Sequence, residues 1–201
     1  DAIAATANSV EPVSSTVVAH LSGSRGLDTL APHRRRAALH PLVSLPNADI
    51  GSRRLRGAWF AVAGDPLIDD VAKALYGRVF TVEDTNRALY HAAATMASNH
   101  LVALFGQVER AAASVGVPLD AFLDLARATL DNVGYMGPQQ ALTGPVARGD
   151  EDTLRKHLKA LPQAERRSYR AMSDSARQLL TPAPEESQLA DPTPVQPPEA
   201  A

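Results

Sequence analysis

Between Leu89 and His100 the chain reads Leu-Tyr-His-Ala-Ala-Ala-Thr-Met-Ala-Ser-Asn-His, and three side chains able to handle protons and carbonyl groups, His91, Thr95 and Asn99, recur four residues apart. A four-residue step on an α-helix overshoots one turn by only about 40°, so the three share one face. An imidazole titrates near pH ~6.5, which suits His91 to general acid/base work worth about 10²–10⁴-fold in rate. The hydroxyl of Thr95 and the carboxamide of Asn99 are suited to orienting a carbonyl oxygen. The helix around them is otherwise apolar. A buried polar group without a partner costs about 1–3 kcal/mol, so the stripe either pairs internally and with nearby backbone or borders a wet cleft. Spacing alone weighs these two readings equally. Tyr90 and His100 fall off the stripe and read as packing or surface groups.

Three further segments carry polar groups at places where sites form. His40-Pro41 ends an apolar strand, and ligands of α/β sheets gather at the carboxyl ends of strands, although a lone strand histidine is more often a satisfied core group. Leu21-Ser22-Gly23 ends the preceding strand with a hydroxyl and a glycine that permits close approach. In Ala141–Asp150 the bend at Gly144-Pro145 is followed by Arg148, whose planar fork suits a carboxylate or phosphate, and by Asp150, a helix cap. The plain alternatives are a turn for the second segment and a surface ion pair for Arg148. His33-Arg-Arg-Arg36 reads as a solvated turn. No H-E-x-x-H, no other metal-ligand spacing, no G-x-S-x-G elbow, no Walker loop and no G-x-G-x-x-G occurs, so no metal site is expected.

The elements that must position these groups follow from periodicity. Thr16–Leu21, Ala37–Val43, Ala58–Ala63 and Arg78–Val82 read as strands, and Asp65-Pro66 starts a capped helix between the last two, a βαβ unit with parallel pairing. From about Glu83 to Val115 an Ala-rich 3.6-residue period predicts one long helix, capped by Asp84 or Thr85. Leu89, Met96, Leu101, Leu104, Phe105 and Val108 give it apolar coverage wide enough to predict burial. A second helix follows Pro118, with Leu119, Phe122, Leu123, Leu125, Ala126 and Leu130 on its inner face and Gly134 and Gly137 as stops. Helices over about Asp150–Leu161 and Ala164–Leu180 complete an all-helical unit. The predicted domains are 1–83, 84–180 and a disordered tail, 181–201, whose 21 residues hold six prolines, four acidic residues and no basic one.

Composition narrows the partners. In 201 residues, 20 Lys and Arg face 22 Asp and Glu, a formal charge of −2, which leaves no footprint for nucleic acid or an anionic membrane. There is no cysteine, no apolar run of the ~18–20 residues that spans a bilayer, and no basic-then-apolar leader, so a cytoplasmic location is expected. The first residue is Asp1 rather than methionine, which suggests a processed or truncated polypeptide.

The phrases His20-Leu-Ser-Gly23, Leu39-His-Pro-Leu42, Leu89-Tyr-His-Ala-Ala-Ala94 with Ala97-Ser-Asn99, and Leu142-Thr-Gly-Pro-Val-Ala-Arg-Gly-Asp150 together resemble one group across about residues 1–180. It is the Rossmann-like proteins with the domain of unknown function 2520, relatives of ketopantoate reductase, pyrroline-5-carboxylate reductase and the wider 6-phosphogluconate-dehydrogenase-like superfamily. The resemblance implies a fold class of α/β plus all-α: a partial Rossmann-like parallel sheet, then a helical carboxyl-terminal domain built on one long helix. It implies that the strand–glycine loop–helix cradle for the diphosphate of NADP or NAD is missing from this chain. Leu21 and Ser22 then face the cofactor, Gly23, His40, Thr143 and Arg148 face the substrate, and His91, Thr95 and Asn99 are catalytic. The equivalent helix of ketopantoate reductases carries a lysine and asparagines at four-residue intervals. Here His91 stands at the lysine's place, Thr95 replaces one asparagine and Asn99 fits. The expected function is the carboxyl-terminal part of an NAD(P)-dependent oxidoreductase acting on a small carbonyl or keto-acid substrate as a homodimer. The alternative is a non-catalytic binding or dimerisation module.

Overall fold

The computed structural model describes residues 2–181, so the predicted acidic tail lies outside the described residues apart from Thr181. The chain forms two compact units that divide between Leu104 and Phe105. In the first unit, helix α1 (Ala2–Ser9) precedes strand β1 (Val17–His20) and strand β2 (Arg35–Pro41). Helix α2 (Ala48–Leu55), strand β3 (Trp59–Gly64), helix α3 (Leu67–Ala74) and strand β4 (Arg78–Thr81) follow, then helix α4 (Arg87–Thr95). One π turn, Met96–His100, joins α4 to helix α5 (Leu101–Ala113), within which the division falls.

The four predicted strands are present, and the fold class is α/β plus all-α, as expected. The sheet order is β1-β2-β3-β4, with β1 parallel to β2 and β3 parallel to β4 across α3. The middle pair departs from the parallel expectation. Pro41 sits opposite Phe60 and Ala37 opposite Gly64, so β3 starts beside the end at which β2 finishes and runs antiparallel to it. Parallel pairing needs the connection to carry the chain back along the sheet. The stretch holding α2 does not, and α2 itself, capped where the Asn47 side chain accepts the Ile50 N–H at 2.9 Å, was not anticipated from sequence.

Ala37, Leu39, Ala58, Phe60, Val62, Ile68 and Ala72 form the core. Small residues let α3 lie close to the sheet, and Phe60, 1% exposed, fills the space they leave. Asp65 holds this corner together: its carboxylate accepts two bonds from the Arg35 guanidinium, at 2.7 and 3.0 Å, and one from the Leu67 N–H at the start of α3. The basic cluster is therefore no solvated turn. His33 is buried and donates from Nε2 to the Ala7 carbonyl at 2.9 Å, tying α1 to the unit, while Arg35 and Arg36 belong to β2.

The second unit contains α6 (Leu119–Ala141), α7 (Gly144–Ala147), α8 (Glu151–Ala160) and α9 (Arg166–Gln178). Asp150 caps α8 through the Thr153 N–H at 3.0 Å, as its position predicts. Gln107 donates to the Glu165 carbonyl and Arg110 pairs with the Glu165 carboxylate at 2.6 Å, binding the end of α5 to the start of α9. Gly137, at φ +80°, breaks α6, whereas Gly134 is passed without interruption. The long helices are far less covered than predicted: Leu89 is 74%, Val102 71% and Leu125 63% exposed. Apolar periodicity reports a face that favours burial, not what supplies the cover. Asp84 does not cap α4 either, because a 3₁₀ turn, Asp84–Asn86, leads into that helix and the Asp84 carboxylate binds elsewhere.

Gly64 occupies a left-handed conformation, φ +89°, where a Cβ would stand 2.2 Å from the Arg36 carbonyl oxygen. Gly64→Ala should therefore destabilise the first unit by about 1–3 kcal/mol, the usual cost of backbone strain at a single residue. Urea unfolding measures it, and a change under about 0.5 kcal/mol, the range of neutral surface substitutions, would show that this turn is unconstrained.

Candidate functional site

Parallel strands finish at the same edge of a sheet, so the residues following β1 and the end of β2 meet. His20 pairs with Ala38, which leaves His40 and Pro41 projecting beyond β1. The turn after β1 is held by His20, whose Nδ1 accepts the Ser22 N–H at 3.2 Å and whose Nε2 donates to the Gly26 carbonyl at 3.3 Å. That fold of the turn puts Gly23 between two imidazoles. A Cβ on residue 23 would lie 2.6 Å from His91 Cδ2 and 2.9 Å from both Cε1 and Nε2 of His40. The two rings meet edge to face, with centroids 5.8 Å apart.

Tyr90 completes the group. Its hydroxyl lies 2.6 Å from His40 Nδ1, and its ring meets Phe80, which in turn meets Trp59, at 5.7 and 6.0 Å. Edge-to-face contacts of this kind add about 0.5–1.5 kcal/mol each beyond burial and fix ring orientation. They brace α4 against β3 and β4.

Beside these rings opens a cleft of about 460 Å³, lined by His40, His91, Thr95, Ser98 and Asn99 and by the apolar side chains of Leu42, Val43, Ala94 and Val102. Its size falls within the ~300–1,000 Å³ usual for small-molecule sites. The stripe predicted from sequence thus borders an open hollow that includes His40. A π turn falls between Thr95 and Asn99. Such a turn, bonded i→i+5, holds more residues than an α turn, so the four-residue step across it undershoots a full rotation and offsets the overshoot between His91 and Thr95. Among the described residues neither the His91 ring nor the Asn99 carboxamide has a hydrogen-bond partner. Thr95 differs, since its hydroxyl donates to the His91 carbonyl at 2.9 Å and can only accept from a ligand.

The other predicted residues are placed less centrally. Ser22 turns its Oγ into its own loop, accepting from the Ser24 and Arg25 N–H groups at 3.4 and 3.3 Å, and Leu21 is exposed. Thr143 and Arg148 flank α7 in the second unit and are both exposed.

Sequence reasoning read Tyr90 as a packing or surface group and passed over Arg87. Arg87, 1% exposed, donates from Nε to Asp84 Oδ1 at 2.9 Å, while Asp84 Oδ2 accepts the Leu27 N–H at 2.8 Å. Both terminal nitrogens of Arg87 are buried without a partner among the described residues. A signal existed, because Arg87 continues the ladder of 91, 95 and 99 one step earlier. Tyr90 gave none; only the packing of α4 on the strand ends brings it to His40.

Burial, and then the positive charge of Arg87, pushes the His20 imidazole below its ordinary value. For His40 burial acts first, then His91, then Arg87, again downward. Burial pushes the Tyr90 hydroxyl up, so it stays protonated.

Residues 60–176, more than half of the chain, match the family model described as domain of unknown function (DUF2520). Two solved structures are similar. A protein from Thermotoga maritima is 24% identical, with a TM-score of 0.72, over 89% of this chain and 74% of that one. A Bacteroides fragilis protein described as a "putative NADP oxidoreductase" is 21% identical, with a TM-score of 0.69, over 81% of this chain and 65% of that one. The chain thus spans slightly less than two thirds of the second. No curated protein matches. Identities this low establish a shared fold.

Whether a nicotinamide dinucleotide fits can be asked of the residues present. Gly23 offers bare backbone at a strand end beside neutral donors and acceptors, which suits the flat, reacting end. The diphosphate requires N–H donors from a glycine-rich strand-to-helix loop, and the sequence has no G-x-G-x-x-G. Among the described residues no three His, Cys, Asp or Glu side chains are placed to hold a metal, and no helix is long and apolar enough to cross a membrane.

The histidine shifts carry a prediction. In the unfolded chain His20 and His40 take up protons as the pH drops below about 6.5, before they do so in the folded chain. The stability they contribute is therefore full above that value and is lost as the pH falls through it toward the lower folded values. The depressed carboxyls of Asp65, beside Arg35, and Glu165, beside Arg110, act only below their ordinary 3.8 and 4.5. The urea midpoint should fall between pH ~7.5 and ~5.5, and replacing both histidines with glutamine should flatten that fall. An undiminished slope in the double variant contradicts it.

Proposed function

The chain belongs to the family of the domain of unknown function 2520, and from that premise we propose that it forms the carboxyl-terminal part of an NAD(P)-dependent oxidoreductase that reduces a small carbonyl compound of the keto-acid kind. The observation that carries this reading is the cleft lined by His40 and by the His91 ring, which meet edge to face beside Gly23 and of which the second has no hydrogen-bond partner among the described residues. The similarity in fold to the Bacteroides fragilis protein described as a "putative NADP oxidoreductase" supports it. A nicotinamide, when bound, supplies the hydride. His91 provides the proton that the reduced carbonyl oxygen takes up, from a ring open to the cleft. Asn99 donates to the substrate carbonyl, while Thr95, whose hydroxyl proton is held by the His91 carbonyl, accepts from the hydroxyl of the alcohol product. His40 and Gly23 bound the substrate at the strand ends and the backbone at Leu21 and Ser22 faces the cofactor, while substrate binding by Thr143 and Arg148 belongs to the same proposal as a contribution from a second copy of the chain. Kinship with ketopantoate reductase and pyrroline-5-carboxylate reductase within the 6-phosphogluconate-dehydrogenase-like superfamily belongs to the same proposal, as does action in the cytoplasm.

Titrating the full-length protein with NADPH and NADH tests the reading. Saturable binding of either is expected, together with a loss of turnover of about 10²-fold or more in His91→Ala at unchanged stability. Unchanged turnover removes His91 from the mechanism, and no binding of either dinucleotide favours the module.

A homodimer is part of the proposal, supported by the uncovered apolar residues of the long helices, Leu89 and Val102 in the first and Leu125 and Leu130 in α6. These residues also favour the alternative, a dimerisation module without chemistry. Light scattering should report two chains per particle, and Leu125→Glu should shift the particle toward one. A monomer at every concentration contradicts the dimer.

A further inference from the structure

The contact between His40 and Tyr90 has two possible proton arrangements, and the surroundings choose between them. Either the Tyr90 O–H donates to Nδ1 of His40, or an Nδ1–H donates to the Tyr90 oxygen across the same 2.6 Å. The second leaves the half-buried Tyr90 O–H with no acceptor among the described residues, and an orphaned hydroxyl donor there costs about 1–3 kcal/mol. The first uses that donor and puts the imidazole proton on Nε2. Nε2 lies on the side of the ring away from Tyr90, beside Gly23, and has no acceptor among the described residues. The ring lines the cleft. Burial, then the His91 ring and the Arg87 guanidinium on α4, oppose charge on His40, and the Asp84 carboxylate is already committed to Arg87 and Leu27.

We propose that Tyr90 is a positioning residue that fixes His40 as the neutral Nε2–H tautomer, so that His40 presents a preset hydrogen-bond donor to an oxygen atom of the ligand in the cleft. This rests on the reading of the cleft as a carbonyl-reducing site and names the half of the work that His91 does not do. His91 supplies a proton, while His40, too weak an acid to give one up, polarises the oxygen and stabilises the charge that develops there. Donors already aimed at such an oxygen need no reorganisation during the reaction. It also narrows the ligand: the atom at His40 is a hydrogen-bond acceptor, a carbonyl or carboxylate oxygen, and an amine or alcohol proton finds no acceptor at Nε2.

The tautomer is directly measurable. In protein labelled with ¹⁵N at histidine, the two ring nitrogens of His40, assigned through its loss in His40→Gln, are read at a pH about one unit above the ordinary imidazole value of ~6.5. The expected spectrum has a protonated Nε2 and an unprotonated Nδ1, and in Tyr90→Phe the two shifts move toward each other as both tautomers become populated. A wild-type spectrum showing protonated Nδ1, averaged nitrogens or an imidazolium overturns the inference whether or not the variant folds, as does a Tyr90→Phe spectrum equal to wild type. Pyruvate is then added as a keto-acid probe. A shift at His40 Nε2 supports the donor role; the expected tautomer with no shift on saturating pyruvate overturns that role and the keto-acid reading while leaving the tautomer in place.

Discussion

Residue 23 has no side chain, and the site depends on that. Two imidazoles from different elements, His40 on β2 and His91 on α4, converge on the backbone of the turn after β1 at distances no Cβ could share. The turn is shaped from within by His20, bonded at both ring nitrogens, and by Ser22, whose hydroxyl collects two N–H groups of its own loop. These are local bonds, but their effect is tertiary. They bring the end of one short strand close enough to its neighbour that a helix can lie across both with its histidine and tyrosine inward.

The same turn is tied to a buried charge. Asp84 accepts from Leu27, just beyond the turn, and from Arg87, at the start of α4, so one carboxylate links the loop to the helix that carries the site. An ion pair between a buried Arg87 and an exposed Asp84 is weak evidence for stability, since desolvating the guanidinium offsets much of the attraction. What the pair does here is electrostatic. Burial first, with the enclosed guanidinium adding to it, makes positive charge on His20 and His40 unfavourable and holds both imidazoles below their ordinary value. Neutral rings can offer both a donor and an acceptor, which imidazolium cannot. Among the described residues the terminal nitrogens of Arg87 have no partner, a deficit that sites tolerate more often than cores do.

The helix that carries the stripe combines two demands. Its inner side must present His91, Thr95 and Asn99 to one hollow over more than two turns, and the π turn at Met96–His100 keeps them in line. Its outer side leaves Leu89 and Val102 uncovered, as α6 leaves Leu125. Exposed apolar residues of this extent are unfavourable in water, and they are the observation on which the proposed homodimer rests.

Period and punctuation were enough to locate the four strands, the Asp65 and Asp150 caps, the βαβ unit and the long helices, because each follows from interactions within a few residues of chain. The polar stripe from His91 to Asn99 was legible for the same reason: helical spacing is a local property, and its continuation to Arg87 could have been seen there too. The antiparallel turn of β3 against β2 was not legible, since a connection of that length can either cross the sheet or return beside it. Nor was the pairing of Tyr90 with His40, fifty residues apart, or the closeness of both imidazoles to Gly23. Those distances depend on how a strand end, a turn and a helix pack together, and only the tertiary structure, where burial and hydrogen bonding among all three are satisfied at once, decides them.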